Sequence, residues 1–161
     1  MPDVSELEDD SSIDDSEILY LRVHPRNVVS DDCPAGEYRP ASGSFRREEP
    51  LSVDLASKCT AEETQQRAGG EAFHVASFTA GIARKQSCRV RRDPEQDNDA
   101  HALVIGDHKD KNGAMSKSQM KQIAKQARII LWDSRFPKEI YTTVVVQLPS
   151  ESLRDSSTEI S

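Results

Sequence analysis

Residues 93–106 read DPEQDNDAHALVIG. A polar loop, Asp93 to Asp99, empties into a short apolar run, Ala102 to Ile105, and His101 sits at the seam. Asp, Asn and Pro are turn formers, because a short polar side chain or a fixed ring closes the backbone locally. The run that follows reads as a strand over His101 to Ile105. A side chain at the mouth of such a strand is held by the sheet and still meets solvent. His101 is therefore the first candidate for chemistry near neutral pH.

Downstream, Gly106 to Gly113 is rich in turn residues. From Met115 to Trp132 no Gly or Pro intervenes. Met120, Ile123, Ala124, Ala127, Ile130 and Leu131 recur at helical spacing and form one apolar stripe. Lys117, Lys121, Lys125 and Arg128 form a basic stripe beside it. The spacing predicts one long amphipathic helix over 115–132, ended near Phe136-Pro137. Tyr141 to Leu148 is strongly β-branched and predicts a final strand, which Pro149 stops.

Upstream, Ile18 to Val23 reads as a strand ended by Pro25, and alternation places Tyr20, Arg22 and His24 on one face. Asp31 to Ser44 is too densely punctuated by Pro and Gly for a regular element. Leu51 to Leu55 alternates apolar and polar and reads as a short strand. Thr60 followed by Glu63 is a capping-box pattern, and Gly69-Gly70 a stop, so a surface helix is expected at about 61–68. Ala72 to Phe78 fits strand or helix. Ala80 to Lys85 is helical with Thr79 as its cap, and Ser87 to Arg91 is a strand with Cys88 facing inward.

This order predicts an α+β domain: a single small mixed sheet, the long amphipathic helix on one face, and one or two short helices. The strands before and after the long helix are far enough apart for a crossover, right-handed if they pair in parallel. The expected organisation is a disordered acidic tail over 1–17, one globular domain over 18–149, and a disordered polar tail over 150–161.

Charge follows the same division. The chain of 161 residues carries a net charge of -7. Residues 1–17 hold eight acids and no base, and 151–161 hold three acids against Arg154, which leaves 18–150 at +3. A slightly basic domain between acidic ends makes the overall pI of 5.1 a poor guide to its partners. An acidic, Ser-rich segment with little to bury cannot offset its ordering entropy, hence the expected disorder of 1–17. Cys33, Cys59 and Cys88 are odd in number and widely spaced, which argues against a disulfide framework and for a reducing compartment. The N-terminus has neither a basic stretch nor an apolar run, and no window approaches a membrane span, so a soluble cytoplasmic protein is expected.

Three constellations carry possible chemistry. His101 with Asp93, Asp97 or Asp99 offers a general base, or an imidazole held charged. Arg22 and His24 on the first strand, with the loop from Arg39 through Ser42-Gly43-Ser44, offer an anion site. There the guanidinium supplies a fork, and hydroxyls and amides supply further donors. An arginine on an opening strand and a serine pair further on resemble the arginine and serine-motif arrangement of some ADP-ribosyltransferases. The resemblance covers a handful of residues. The catalytic glutamate that it implies, preceded by a Gln/Glu-x pattern, has no counterpart, Glu139 being nearest by position only. The third constellation is the basic stripe Lys117, Lys121, Lys125 and Arg128, with Arg84, Lys85, Arg89, Arg91 and Arg92 elsewhere. On one face these would attract nucleic acid, although few aromatics interleave for base stacking. The acidic ends could sit on the same arginines and compete with an outside polyanion.

Other machinery is absent from the sequence. There is no Gly-rich phosphate loop, no G-x-S-x-G elbow and no metal-ligand spacing. His108-Lys109-Asp110 lacks the spacing of the phospholipase-type motif that it spells. The leading expectation is a small accessory or interaction module that binds a protein partner or an anionic ligand, without catalysis, cofactor, metal or membrane. The alternative is an enzyme acting on a nucleotide-type substrate, an ADP-ribosyltransferase-like transferase or a hydrolase. It would use Arg22, His24 and His101, with Arg39, Ser42 and Ser44 holding the ligand. The third is a weak nucleic-acid binder through the helix 115–132.

Overall fold

The computed structural model describes residues 7–141. The chain divides into two units, 1–131 and 132–161. The first contains the strands β1 (Ile18–Val23), β2 (Val28–Val29), β3 (Arg39–Pro40), β4 (Leu51–Leu55), β5 (His74–Thr79), β6 (Arg89–Arg92), β7 (His101–Ile105) and β8 (Arg128–Leu131). Its helices are α1 (Ala61–Gln66), α2 (Ala80–Lys85) and α3 (Lys117–Gln126). The α+β class is as expected. Six strands form one sheet in the order β6-β7-β4-β1-β5-β8, and β2 and β3 pair separately.

Alternation sets the two faces of the sheet. In β1, Leu19, Leu21 and Val23 are buried in the core while Tyr20 and Arg22 point the other way. In β4, Leu51, Val53 and Leu55 join the core, and Asp54 lies opposite Tyr20 across the ladder. Phe45, Phe78, Ile123 and Ala124 complete that core, with Phe45 and Phe78 edge to face at 5.7 Å between centroids. Helix α1 lies over the other face. It starts at the expected capping box, where the Glu63 amide donates to Thr60 Oγ1 and the Thr60 amide to Glu63 Oε1. Thr79 caps α2 by accepting from the Ile82 amide.

Several expectations are corrected. The sheet is not mixed: every pairing in it is antiparallel, so the long connection from β7 makes no parallel crossover. The helix expected over 115–132 ends at Gln126. Ala127 is already extended, and Arg128–Leu131 pairs with β5 as an edge strand. The outer edge of β5 offers backbone partners, and a β-branched pair, Ile129-Ile130, takes them at little cost in propensity. Within 31–44, loop by composition, Arg39–Pro40 forms β3, and Ser42–Phe45 is a turn of 3-10 helix.

The acidic segment is the largest correction. Residues 7–17 are not an unfolded tail. Ile13 is buried in the core at 4% exposure, and the segment runs along β6 and α2. Residues 1–6, the tail 150–161 and the strand expected at 141–148 lie outside the described residues, except for Tyr141, which is helical. In the second unit, Asp133 accepts from the Arg135 amide and guanidinium at 2.9 and 3.0 Å, and the Trp132 and Tyr141 rings lie 5.3 Å apart.

Gly106 fixes the exit from β7. A Cβ there would lie 2.4 Å from Met115 Cα and 2.6 Å from the Ala114 carbonyl, both backbone atoms that have no rotamer to yield. Gln119 ties the same corner, accepting from the Asp107 and Ser116 amides and donating to the Gln86 carbonyl. Gly106→Ala is expected to destabilise by about 1–3 kcal/mol through overpacking, read as a lower urea midpoint at unchanged slope. A midpoint equal to wild type would show that this corner is slack.

Candidate functional site

The face of the sheet that carries Tyr20 and Asp54 holds a cleft of about 590 Å3. Its floor comes from three neighbouring central strands. His101 lies opposite Asp54, and Asp54 opposite Tyr20, so one transverse row presents a base, an acid and a phenol. Arg22 follows one alternation further along β1. The walls are Thr64 of α1, Arg67 and Phe73 beyond it, Arg47 from the loop before β4, and Glu95, Asp97 and Asn98 from the loop before β7.

Asp54 is buried, its side chain 4% exposed. Thr64 Oγ1 donates to Oδ2 at 2.7 Å, Arg67 Nη1 to the same oxygen at 2.9 Å, and Asn98 Nδ2 to Oδ1 at 2.8 Å. Burial alone would raise its pKa. The bonds from Asn98 and Thr64, then the Arg67 charge and bond, outweigh burial and hold the carboxyl below the usual range. Asp54 is thus an anchored anion rather than a free base.

His101 is oriented by the loop that precedes it. The Asp93 amide donates to the His101 carbonyl at 2.9 Å at the hairpin neck, and Glu95 and Asn98 close its tip with two amide–carbonyl bonds. His101 Nδ1 lies 2.9 Å from the Asp93 carbonyl and 3.1 Å from its carboxylate, with Glu95 Oε2 at 3.8 Å. A carbonyl only accepts, so Nδ1 carries a proton. In the neutral ring Nε2 then keeps its lone pair, and it has no hydrogen-bond partner among the described residues. Asp93, Glu95 and His101 also offer ligand atoms within 4.8 Å of one another, a spacing that a small cation accepts.

The cations differ in how they are satisfied. Arg67 is paired with Asp54. Arg22 makes one long bond, 3.4 Å, to the Thr64 carbonyl, and Arg47 donates to the Ser44 and Arg46 carbonyls at 2.9 and 2.7 Å. Neither Arg22 nor Arg47 has a carboxylate partner among the described residues. Desolvation, then the nearby charge of Arg22, push the Arg47 pKa down, although an arginine stays charged. Burial first, then Cys59, Glu62 and Glu17, push the Tyr20 phenol up, so it remains a donor.

Of the residues singled out from sequence, Arg22, Asp97 and His101 share the cleft. His24 sits outside it, exposed, accepting from the Arg26 amide and edge-on to Phe73 at 6.2 Å. Arg39 is buried elsewhere, donating to the Asp31 and Pro40 carbonyls. Ser42 is exposed, and the buried Ser44 hydroxyl has no partner among the described residues, so that loop serves the cleft through the Ser44 carbonyl that holds Arg47. The basic stripe is broken, since Arg128 lies on β8 and pairs with Glu37 at 3.1 Å. Arg47, Asp54, Thr64, Arg67 and Asn98 escaped the sequence reading. For Asp54 the one available signal was a carboxylate at the outward position of an alternating strand.

A scan against protein-family models, a search of curated proteins and a search of solved structures each return no match to this chain. No helix among the described residues is long and apolar enough to cross a membrane.

Asp54→Asn is expected to cost about 2–3 kcal/mol at neutral pH, since it removes charge-assisted bonds and leaves Arg67 beside a neutral amide. The sign with pH follows from a folded-state pKa below the unfolded one. The contribution is complete above the ordinary carboxylate range and is lost as pH falls through the depressed value. Urea unfolding of both proteins from pH 7 downward should therefore show the gap narrowing in acid. A gap constant with pH would mean that Asp54 acts by shape alone.

Proposed function

We propose that the cleft binds a phosphate-bearing ligand of nucleotide type and acts on it, with Arg22 and Arg47 holding the anion and His101 serving as base. The observation that carries this reading is the pair of arginines in one cleft, neither of which has a carboxylate partner among the described residues, although Glu95 and Asp97 line the same cleft. Two like charges repel, and an anion seated between them relieves the repulsion. Guanidinium forks also match phosphate oxygens in geometry. Tyr20 and Phe73 add flat apolar surface for a ring.

The chemistry follows from the protonation states. With Nδ1–H held by Asp93, His101 Nε2 can take the proton of an attacking water or hydroxyl. The Tyr20 phenol can donate to an oxygen on which charge develops. This supports a hydrolase or transferase, with the catalytic carboxylate of the ADP-ribosyltransferase resemblance still without a counterpart. The non-catalytic module is the second reading, favoured by the same arginines if the anion is held and released unchanged.

Thermal unfolding with inorganic phosphate, adenosine 5′-monophosphate and NAD is the direct test. A ligand at a hundred times its Kd should add about 2.7 kcal/mol of stability. Arg22→Ala and Arg47→Ala should each remove that gain, and His101→Ala should keep it. If no anion stabilises the wild type, or if both arginine variants respond like wild type, the anion site is wrong. If the anion binds but no nucleotide is turned over by wild type, the module reading replaces the enzyme.

A further inference from the structure

A second surface lies on the edge strand β6, away from the cleft. Edge strands leave a row of backbone groups unpaired, and proteins commonly cover them. Here the cover is residues 7–12 of the same chain. The Asp10 amide donates to the Val90 carbonyl at 2.8 Å, and the Val90 amide to Asp9 Oδ1 at 2.9 Å. Arg89 Nη1 donates to the Leu7 carbonyl at 2.5 Å, Arg91 Nη1 to the Glu8 carbonyl at 3.1 Å, and Arg84 Nη2 to the Asp10 carbonyl at 3.0 Å. Arg84 also holds the carboxylates of Asp9 and Asp15 at 3.0 and 2.7 Å, and Arg92 holds Asp10 at 3.2 Å and the Ser12 hydroxyl.

Gly81 lets the segment approach. A Cβ there would meet the Asp15 backbone carbonyl at 3.1 Å, the same carbonyl that accepts from the Gly81 amide. The surface therefore reads main-chain groups and acidic side chains together.

We propose that the β6–α2 arginine face is a docking groove for an acidic, extended peptide of a partner protein, and that residues 7–12 fill it in cis. The pattern of bonds selects peptide over nucleic acid. Three arginines address main-chain carbonyls, and the Val90 carbonyl accepts from a backbone N–H, a donor that a phosphate backbone lacks. The one backbone bond from Asp10 to Val90 sets the register, and the arginines supply the carbonyl contacts and the choice of acidic side chains. Ile13 anchors the segment in the core, so a peptide that displaces residues 7–12 leaves the chain tethered there. This proposal is independent of the cleft.

The probe is a fluorescein-labelled peptide, LEDDSSIDDSE, which copies residues 7–17. In the full chain carrying Asp9→Asn and Asp10→Asn, the cis segment loses its charged contacts. Fluorescence anisotropy should show the peptide binding that variant at least tenfold more tightly than wild type, more weakly as salt rises. Adding Arg84→Gln and Arg92→Gln should abolish the binding. In the wild-type chain, saturating peptide should speed hydrogen exchange of the Asp10 amide, a readout that does not depend on the variant folding. Unchanged exchange at saturating peptide overturns the proposal. So does a folded variant that binds no better than wild type, or that prefers a DNA duplex of equal charge to the peptide.

Discussion

The outer half of this structure hangs on one buried carboxylate. Asp54 sits on a central strand, beneath a helix and beside a loop, and each of these elements sends it a donor. Thr64 comes from α1, Arg67 from just beyond it, and Asn98 from the β6–β7 connection. An unpaired ion in that place would be intolerable, so the three donors must arrive together. That requirement fixes α1 and the loop at a common height above the sheet. The cleft is the space left between them.

The same logic separates the arginines into two populations. Arg67, Arg84, Arg92 and Arg128 each meet a carboxylate within 3.2 Å. Their charge is spent on holding the chain to itself. Arg22 and Arg47 have carbonyls for partners and each other for a neighbour. Exposed cations without partners are unremarkable. Two cations that share a concavity without a carboxylate partner repel one another, an electrostatic cost that folding does not require. Such costs concentrate where a ligand removes them.

Local signals were legible in the sequence, and distant ones were not. The strands at Ile18–Val23, Leu51–Leu55 and His101–Ile105 follow from alternation, and the caps at Thr60 and Thr79 from two or three residues each. Each is decided within a few residues of itself. The end of α3 is decided by the open edge of β5, some fifty residues away in the chain, and helical spacing through Ile130 carries no trace of it. Residues 7–17 are polar enough to stay unfolded alone. Their partners, Arg84 through Arg92, lie about eighty residues on, and composition cannot count contacts of that range. Within the site, alternation was enough to pair Arg22 with Tyr20. It could not show that α1 covers that face and turns Asp54 into an anchor.

The division between sheet and loops also bears on which groups do what. Tyr20, Arg22, Asp54 and His101 stand on strands whose ladders fix their spacing, whereas Arg47, Glu95 and Asp97 come from connections. Reaction steps need alignment to a fraction of an ångström, which packed strands supply better than loops. Recognition tolerates more. Floor residues are therefore the better bearers of proton transfer, and rim residues of ligand choice. His101 belongs to both: its ring is fixed by β7 and its tautomer by the Asp93 carbonyl at the loop's neck. The loop before β7 thus acts on chemistry through one backbone oxygen. That constraint survives any change of its acidic side chains that leaves the hairpin closed.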